Sequence, residues 1–431
     1  MRTLHYYIPT LIRPQCTTLV QTAKPVQKME KMVNMPQLRS SSLSSSSPPF
    51  SKKVGQRWKE YQGMNNWDGL LDPLDENLRA EILRYGYFVE AAYKSFEFDP
   101  SSPNYATCKF QKNTLFEQCG LHNTGYKVTK HLRATSGIKL PSWVDKAQSW
   151  VATESSYVGY VAVCNDKEEI KRLGRRDIVV AFRGTATCLE WLENLRATLT
   201  NVSVPSVATG ITAEPCSMDG NGAMVESGFL SLYTSAVSSN QSLMSLQDMV
   251  RKEIGRILKI YEGENLSLTI TGHSLGAALA TLTAYDIKNS FLRQPPLTVI
   301  SFGGPRVGNR SFRRQLEGTG IKVLRIVNSD DVITKVPGFV FDDVDKTDDD
   351  VACNGGVHVV QRWIRKLAEE VQWLLYSEVG KELRLCSRDS PYLRGVNIAT
   401  CHDLNTYLHL VDGFVSSTCP FRPTAKRFLQ H

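Results

Sequence analysis

A chain of 431 residues with 42% hydrophobic residues is long enough to bury one large α/β core with extensions. The formal charge of +8 resides in residues 1–60, which hold ten Lys or Arg against two Asp or Glu, whereas the rest of the chain holds 41 of each. This distribution argues against a nucleic-acid-binding face. Because the longest apolar runs are shorter than the roughly 18 residues that span a bilayer, we predict no transmembrane segment and only peripheral lipid contact.

The N-terminal segment 1–56 is basic, serine-rich and poor in acidic residues. Residues 40–47 include seven serines, and Glu30 is the one acidic residue before Glu60. This composition, without the continuous apolar stretch of a secretory signal, is typical of organellar transit peptides, and the serine run favours the plastid. We therefore predict a removable transit peptide and linker at 1–56, followed by a folded domain at 57–431 with its catalytic core at about 150–415. A disordered tail without a targeting role is the alternative.

Strands and helices are predicted to alternate along the chain, which indicates a central, mostly parallel sheet flanked by helices. The irregular stretch 201–224 is either a lid beside the substrate cleft or a surface loop. Only loops and short elements are expected at 99–149. The predicted elements are a helix at 74–96, strands at 157–164 and 178–182 joined by a charged connection, a helix at 191–199, a helical stretch from about 229 to 258, strands at 268–271, 297–302 and 323–327, and a helix at 309–316.

The segment 268–280 combines an apolar strand, a sharp turn with the sequence GHSLG and an alanine-rich helix. Such a turn holds its central serine in a strained conformation, and the small flanking residues let strand and helix approach closely. Ser274 is therefore the candidate nucleophile. The N–H group of Leu275, at the start of the helix, is a candidate oxyanion donor. A glycine-rich turn without a catalytic role is the alternative.

A second oxyanion donor is expected after the strand 178–182, which runs into the sequence RGTA at 183–186. A strand, a serine turn and a helix in a mostly parallel sheet are typical of an α/β-hydrolase fold, in which the loop at this point supplies such a donor. Thr185 is the candidate through its amide, with its hydroxyl as an additional donor. The alternative is a simple connection from strand to helix.

A serine nucleophile needs an imidazole that takes its proton and a carboxylate that orients the imidazole. Asp330 and Asp331 follow the strand 323–327, at the end of the sheet where ligands bind. We prefer Asp331, which precedes an apolar pair, and Asp330 remains the alternative.

Three histidines compete for the role of the base: His358, His402 and His409. His402 stands at a junction between a loop and an apparent helix, a place from which an imidazole can enter a cleft. The spacing therefore favours His402, with His358 next. His409 lies two turns further along the same helix and is more typical of a structural residue. His273, inside the turn, is expected to pack against neighbouring strands.

The ten cysteines show neither C-x-x-C nor zinc-ligand spacing. We therefore predict thiols, and we predict neither a metal nor a cofactor.

Three motifs resemble those of the class 3, or fungal-type, lipases: FRGT at 182–185, GHSLG at 272–276 and RIVNSDD at 325–331. Two others, WDGLLDPL at 67–74 and HDLNTYLH at 402–409, are similar to the plant class I phospholipase A1 group, which includes plastid lipid acylhydrolases. The resemblance covers roughly residues 57–420. It implies Ser274 as nucleophile, Asp331 as carboxylate and His402 as base, with Leu275 and Thr185 framing the oxyanion.

The same resemblance implies hydrolysis of sn-1 acyl esters of phospholipids, galactolipids or triacylglycerols, with release of fatty acids in the plastid that can feed jasmonate synthesis. Two other functions use the same residues. An acyltransferase would pass the acyl group to an alcohol instead of water, and an α/β-hydrolase without turnover would act as a receptor for a small ligand.

Overall fold

The computed structural model describes residues 54–135, 155–185, 198–202, 222–236, 244–337, 376–390, 393 and 397–417. Outside these residues lie the predicted transit peptide up to residue 53, most of the stretch 201–224, and His358. The proposed boundary between 56 and 57 stays a prediction. The first described helix, α1 (Val54–Tyr61), includes residues 54–56.

A seven-stranded sheet forms the centre of the fold. Its strands are β1 (Tyr126–Ala134), β2 (Ser156–Cys164), β3 (Arg176–Phe182), β6 (Leu266–His273), β7 (Leu297–Phe302), β8 (Lys322–Asn328) and β9 (Lys381–Leu385), while β4 (Leu199–Asn201) and β5 (Met224–Glu226) form a separate pair. The order of strands in the large sheet is β1-β2-β3-β6-β7-β8-β9. The five strands β3, β6, β7, β8 and β9 run parallel, whereas β2 is antiparallel to both of its neighbours, β1 and β3. This arrangement confirms the predicted mostly parallel sheet.

Helices cover the sheet, as expected. Side chains of β2 alternate between two hydrophobic clusters: Tyr160 and Ala162 belong to one, Val161 and Val163 to the other. Because successive side chains of a strand point to opposite faces, the sheet is buried on both sides. The remaining helices are α2 (Glu76–Lys94), α3 (Leu115–Gln118), α4 (Lys167–Leu173), α5 (Ser227–Thr234), α6 (Leu246–Ile260), α7 (Leu275–Ser290), α8 (Arg310–Gly318), α9 (Ile398–His402) and α10 (Leu404–Gly413).

The structure differs from the predicted elements at both edges of the sheet. Only loops and short elements were predicted where the nine-residue strand β1 lies, and no element was predicted at β9. Both are edge strands that carry charged residues between buried ones, as in the sequence KELRL of β9. Charged residues are typical of edge strands, but Lys and Glu are depleted in strands as a whole, so these two segments lack the apolar and β-branched content by which a strand is recognised in a sequence.

Three further differences concern helices. The charged connection after β2 contains α4, and the helical stretch from 229 to 258 is two helices, α5 and α6. Leu199, the last residue of the helix predicted at 191–199, begins β4, and residues 191–197 lie outside the described part of the chain.

The motif at 67–74 is hydrogen-bonded to the segment that follows α10. The backbone N–H of Leu74 donates to the carbonyl of Val415 at 3.0 Å, and the carboxylate of Asp72 accepts from the backbone N–H of Ser417 at 2.9 Å. Arg79, at the start of α2, donates to the carbonyl of Val411 at 2.6 Å. The motif therefore fixes α10, which follows directly after α9.

Helix α2 is anchored to the sheet by a buried polar cluster. The hydroxyl of Tyr85 donates to the carboxylate of Asp177 on β3 at 3.0 Å, and Glu81 forms an ion pair with Arg175 at 3.2 Å. Buried charges are stable in a protein when they are paired and hydrogen-bonded in this way. The cluster thus fixes the position of α2 on the sheet. Tyr93 lies on the same helix, eight residues after Tyr85.

Strand β6 and helix α7 approach each other closely at Gly272 and Gly276. A Cβ atom on Gly272 would lie 2.2 Å from the carbonyl oxygen of Gly276, and one on Gly276 would lie 2.6 Å from the carbonyl oxygens of Phe182 and Arg183. No side chain fits at either position. The two glycines therefore set how near α7 can lie to β6 and to the end of β3.

We expect Gly276→Ala to lower the free energy of unfolding by roughly 1–3 kcal/mol, because the added methyl group overlaps backbone atoms that cannot rotate away. Gly318→Ala, in open space at the end of α8, is the matched control and should change stability little or increase it. Thermal unfolding followed by circular dichroism measures both. Equal midpoints for Gly276→Ala and the wild type would contradict the packing argument.

Candidate active site

The turn between β6 and α7 holds Ser274 in an unusual backbone conformation, with φ 58° and ψ −128°. A positive φ is uncommon for a residue other than glycine and persists only where the surroundings enforce it. Here the enforcement comes from the contact between Gly272 and Gly276 and from the Ser274 N–H, which donates to the carbonyl of Phe302 at 3.0 Å. Ser274 therefore lies at the carboxyl ends of β6 and β7, where ligands of parallel sheets bind.

The carboxylate of Asp331 lies fully buried, three residues after the end of β8. One of its oxygens accepts the backbone N–H of Ile333 at 2.9 Å. The other accepts the hydroxyl of Tyr407 at 2.6 Å and Nδ1 of His402 at 2.7 Å. Three donors hold the carboxylate in one orientation. Burial and the adjacent Asp331 raise the pKa of Tyr407 well above its ordinary value, so its hydroxyl keeps its proton and remains a donor.

Asp330, the alternative carboxylate, points to different partners. It forms an ion pair with the exposed side chain of Arg388 at 2.9 Å and accepts the backbone N–H of Ser387 at 3.2 Å. It therefore holds the turn that follows β9. The two neighbouring aspartates have separate contacts, and only Asp331 is hydrogen-bonded to His402 in the structure described.

His402 is the last residue of α9, and Asp403 caps the start of α10. The prediction placed His402 at the start of a helix, whereas it is the last residue of one helix and the next helix begins two residues later. Since Nδ1 donates to Asp331, Nε2 carries the lone pair of the neutral ring and can accept a proton. His409 contacts the hydroxyl of Ser390 at 2.9 Å, away from this group. His358, the other candidate base, is not among the described residues.

The turn after β3 packs directly against Ser274. A Cβ atom on Gly184 would lie 2.9 Å from both Cβ of Ser274 and the carbonyl oxygen of His273. Next to it, the hydroxyl oxygen of Thr185 is buried and has no hydrogen-bond partner among the described residues. An unsatisfied buried hydroxyl is costly unless a ligand uses it. Leu275 begins α7, where N–H groups have no partner within the helix and the helix dipole favours negative charge.

His273 lies between Tyr93 on α2 and the backbone of His402 and contacts both. Its Nδ1 contacts the hydroxyl of Tyr93 at 2.8 Å, and its Nε2 contacts the carbonyl oxygen of His402 at 2.7 Å. Burial, together with the nearby His402, holds the pKa of His273 well below its ordinary value, so the ring is neutral. With both nitrogens engaged, His273 is not placed to act as a base.

The sequence pattern did not identify two tyrosines of this site, Tyr93 on α2 and Tyr407 on α10. Both lie on amphipathic helices, where the sequence pattern predicts that an aromatic residue packs in the core. For Tyr407 a signal existed, since it lies within the motif at 402–409. For Tyr93 the sequence offered no comparable signal.

Neither a metal site nor a membrane-spanning helix is found in the described part of the chain. No group of three or more His, Cys, Asp or Glu side chains there is arranged to hold a metal ion. No helix there is long and apolar enough to cross a bilayer.

Comparison with known proteins places the chain in a family. The profile of the family described as "Lipase (class 3)" matches residues 179–341, which include the turns after β3, β6 and β8. The chain is 65% identical to "Phospholipase A(1) DAD1, chloroplastic" of Arabidopsis thaliana over 377 residues, which are 88% of this chain and 81% of that protein. It is 40% identical to "Galactolipase DONGLE, chloroplastic" of Arabidopsis thaliana over 379 residues, 85% of this chain and 72% of that protein.

Among solved structures, the native Rhizomucor miehei lipase propeptide complex is similar to this chain. The sequence identity is 21% and the TM-score is 0.39, over 61% of this chain and 63% of that one.

The names of the plant relatives agree with the location in the plastid predicted from the N-terminal composition. Identity to the plant proteins extends over more than four fifths of the chain, well beyond the segment that the family profile matches. The chain is therefore a member of the class 3 lipase family, in the plant phospholipase A1 group of ester hydrolases.

Proposed function

We propose that this protein hydrolyses acyl esters of membrane lipids with Ser274 as nucleophile, His402 as general base and Asp331 as the carboxylate that orients His402. The observation that carries the proposal is the buried hydrogen bond of 2.7 Å between Nδ1 of His402 and Asp331. The carbonyl oxygen of His402 is hydrogen-bonded to His273, the residue before the strained Ser274. A serine nucleophile requires an imidazole that a carboxylate orients in this way.

In the first half of the reaction, Oγ of Ser274 attacks the carbonyl carbon of the ester, and Nε2 of His402 takes the serine proton. The carbonyl oxygen becomes an oxyanion, which the N–H of Leu275 and the amide and hydroxyl of Thr185 stabilise. Donors that are fixed before the reaction stabilise such a charge without reorganising. The intermediate collapses as the ester C–O bond breaks, and His402 gives its proton to the departing alcohol.

In the second half, a water molecule gives a proton to His402 and attacks the acyl group bound to Ser274. The bond between Oγ and the acyl carbon breaks, the proton returns to Oγ, and a fatty acid leaves. Throughout, Asp331 stabilises the imidazolium form of His402 by its charge and keeps Nδ1 turned toward itself. Tyr407 and the N–H of Ile333 keep the carboxylate in place.

The proposed substrates are phospholipids and galactolipids, cleaved at the sn-1 position in the plastid. Support comes from the similar plant proteins, which are named phospholipase A1 and galactolipase and are 65% and 40% identical to this chain. Triacylglycerol is a further candidate because it offers the same type of ester.

The direct test incubates the full chain with phosphatidylcholine that carries different acyl groups at sn-1 and sn-2, with a galactolipid and with triacylglycerol. We expect water to receive the sn-1 acyl group, so that the free sn-1 fatty acid is released. We expect Ser274→Ala to reduce the rate of this release by at least about 10³-fold. Equal release by the variant and the wild type would overturn the proposal. Transfer of the acyl group to an added alcohol in preference to water would instead identify an acyltransferase.

The choice between the two aspartates is tested by Asp331→Asn and Asp330→Asn. We expect the first to lower kcat by roughly 10²- to 10⁴-fold, because an amide can donate to His402 and favour the wrong tautomer. Asp330→Asn removes the same negative charge from the neighbouring residue. It should leave kcat within about threefold of the wild-type value, because Asp330 contacts Arg388 and Ser387. The reverse ranking in fatty-acid release would assign the role to Asp330.

The role of the Thr185 hydroxyl is tested by Thr185→Val, which keeps the shape and removes the donor. We expect kcat to fall by roughly 10- to 100-fold with little change in KM, because the lost hydrogen bond forms only with the oxyanion. Thr185→Ser keeps the hydroxyl and is the matched control. If both variants match the wild type, the hydroxyl has no part in the reaction.

A further inference from the structure

Three hydrogen bonds join the turn after β3 to the backbone of His402. The N–H of Gly184 donates to the hydroxyl of Tyr93 at 2.8 Å. The same hydroxyl contacts Nδ1 of His273 at 2.8 Å, and Nε2 of His273 contacts the carbonyl oxygen of His402 at 2.7 Å. These bonds connect both sides of the candidate site without touching the hydroxyl of Ser274.

The direction of each bond follows from the chemistry of its ends. The carbonyl oxygen of His402 can only accept, so Nε2 of His273 carries the proton. In a neutral imidazole the other nitrogen is then an acceptor, so the hydroxyl of Tyr93 donates to Nδ1. That hydroxyl still has lone pairs, one of which accepts the N–H of Gly184. Every donor therefore meets an acceptor, and one arrangement of protons satisfies the whole chain of bonds.

The chain of bonds has a rigid support on the α2 side. Tyr93 lies eight residues after Tyr85, which is hydrogen-bonded to the buried carboxylate of Asp177 at 3.0 Å. The same helix carries Glu81, which is paired with Arg175 in the interior. Since α2 cannot shift along the sheet without breaking this buried cluster, the position of the Tyr93 hydroxyl is fixed by contacts far from the site.

The other end of the chain of bonds meets the base. The rings of His273 and His402 lie with their centroids 4.7 Å apart and their planes at 36°. A neutral ring at this distance does not repel the imidazolium that His402 forms during the reaction, whereas a second cation would.

We propose that Tyr93 and His273 are positioning residues, which fix the oxyanion turn at Gly184 and Thr185 relative to His402 by a single hydrogen-bonded bridge. The inference rests on the proposed function, because it concerns the geometry of that reaction. A displacement of about 1 Å between reacting groups can cost about 10²-fold in rate. The bridge acts on the turnover step and leaves binding of the ester in the ground state nearly unchanged.

The test compares Tyr93→Phe with Tyr160→Phe. Tyr160 is a matched control because its buried hydroxyl donates to the carbonyl of Phe88, on the same helix, at 2.7 Å. Tyr93→Phe removes both hydrogen bonds that its hydroxyl contributes to the bridge, whereas Tyr160→Phe removes one buried hydrogen bond to α2 outside the bridge. Hydrolysis of p-nitrophenyl butyrate gives kcat and KM, and thermal unfolding reports the loss of stability in each variant.

We expect Tyr93→Phe to lower kcat by roughly 10- to 100-fold with KM changed less than about threefold, and Tyr160→Phe to keep kcat within about twofold. His273→Gln keeps a donor for the carbonyl of His402, so it should retain more activity than His273→Leu. Since the bridge acts as a unit, the double variant with Tyr93→Phe and His273→Leu should have a kcat no lower than that of His273→Leu alone.

Equal kcat for Tyr93→Phe and Tyr160→Phe would overturn the inference, as would losses that multiply in the double variant. If Tyr93→Phe does not fold, the comparison of His273→Gln with His273→Leu decides, and equal kcat for these two also overturns it. Ser274→Ala in the same assay separates the two proposals. Full activity of Ser274→Ala refutes the proposed function, whereas its inactivity combined with normal turnover by Tyr93→Phe refutes only the bridge.

Discussion

The positive φ angle of Ser274 is the constraint on which the rest of the site depends. It lets a strand end and a helix begin within one residue, so the side chain of Ser274 and the first N–H groups of α7 face the same point. A side chain on Gly272 would overlap backbone atoms of Gly276, and one on Gly276 would overlap the carbonyl oxygens of Phe182 and Arg183. The strain at one residue is thus maintained by the packing of β6, α7 and the end of β3.

The parallel topology brings the other groups to the same edge of the sheet. The turn after β3 carries Thr185, the turn after β6 carries Ser274, and the turn after β8 carries Asp331. Each strand contributes a different type of group, because parallel neighbours all end on the same side. His402 enters from a short helix beyond β9, and the hydrogen bond to Asp331 fixes its ring.

Two tyrosines connect this edge to helices that pack on the sheet. Tyr407 on α10 holds Asp331, and Tyr93 on α2 contacts both Gly184 and His273. Each contributes an aromatic body to the packing and a hydroxyl to the polar network, a combination that suits tyrosine at the border between core and site. The motif at 67–74 adds to this arrangement, since it fixes α10 through the segment that follows it.

The sequence by itself determined the parallel sheet, the strained turn at Ser274 and the candidate residues, because strand periodicity, glycine spacing and chain order are local properties. It left His358 beside His402 and Asp330 beside Asp331 until the family resemblance favoured one of each pair. Tertiary structure alone decided that Asp331 and not Asp330 contacts His402, that the charged segments β1 and β9 pair as edge strands, and that Tyr93 meets His273. The physical reason is distance along the chain: a hydrogen bond between residues 93 and 273, or between 331 and 402, depends on how helices pack on the sheet, and no local pattern records that packing.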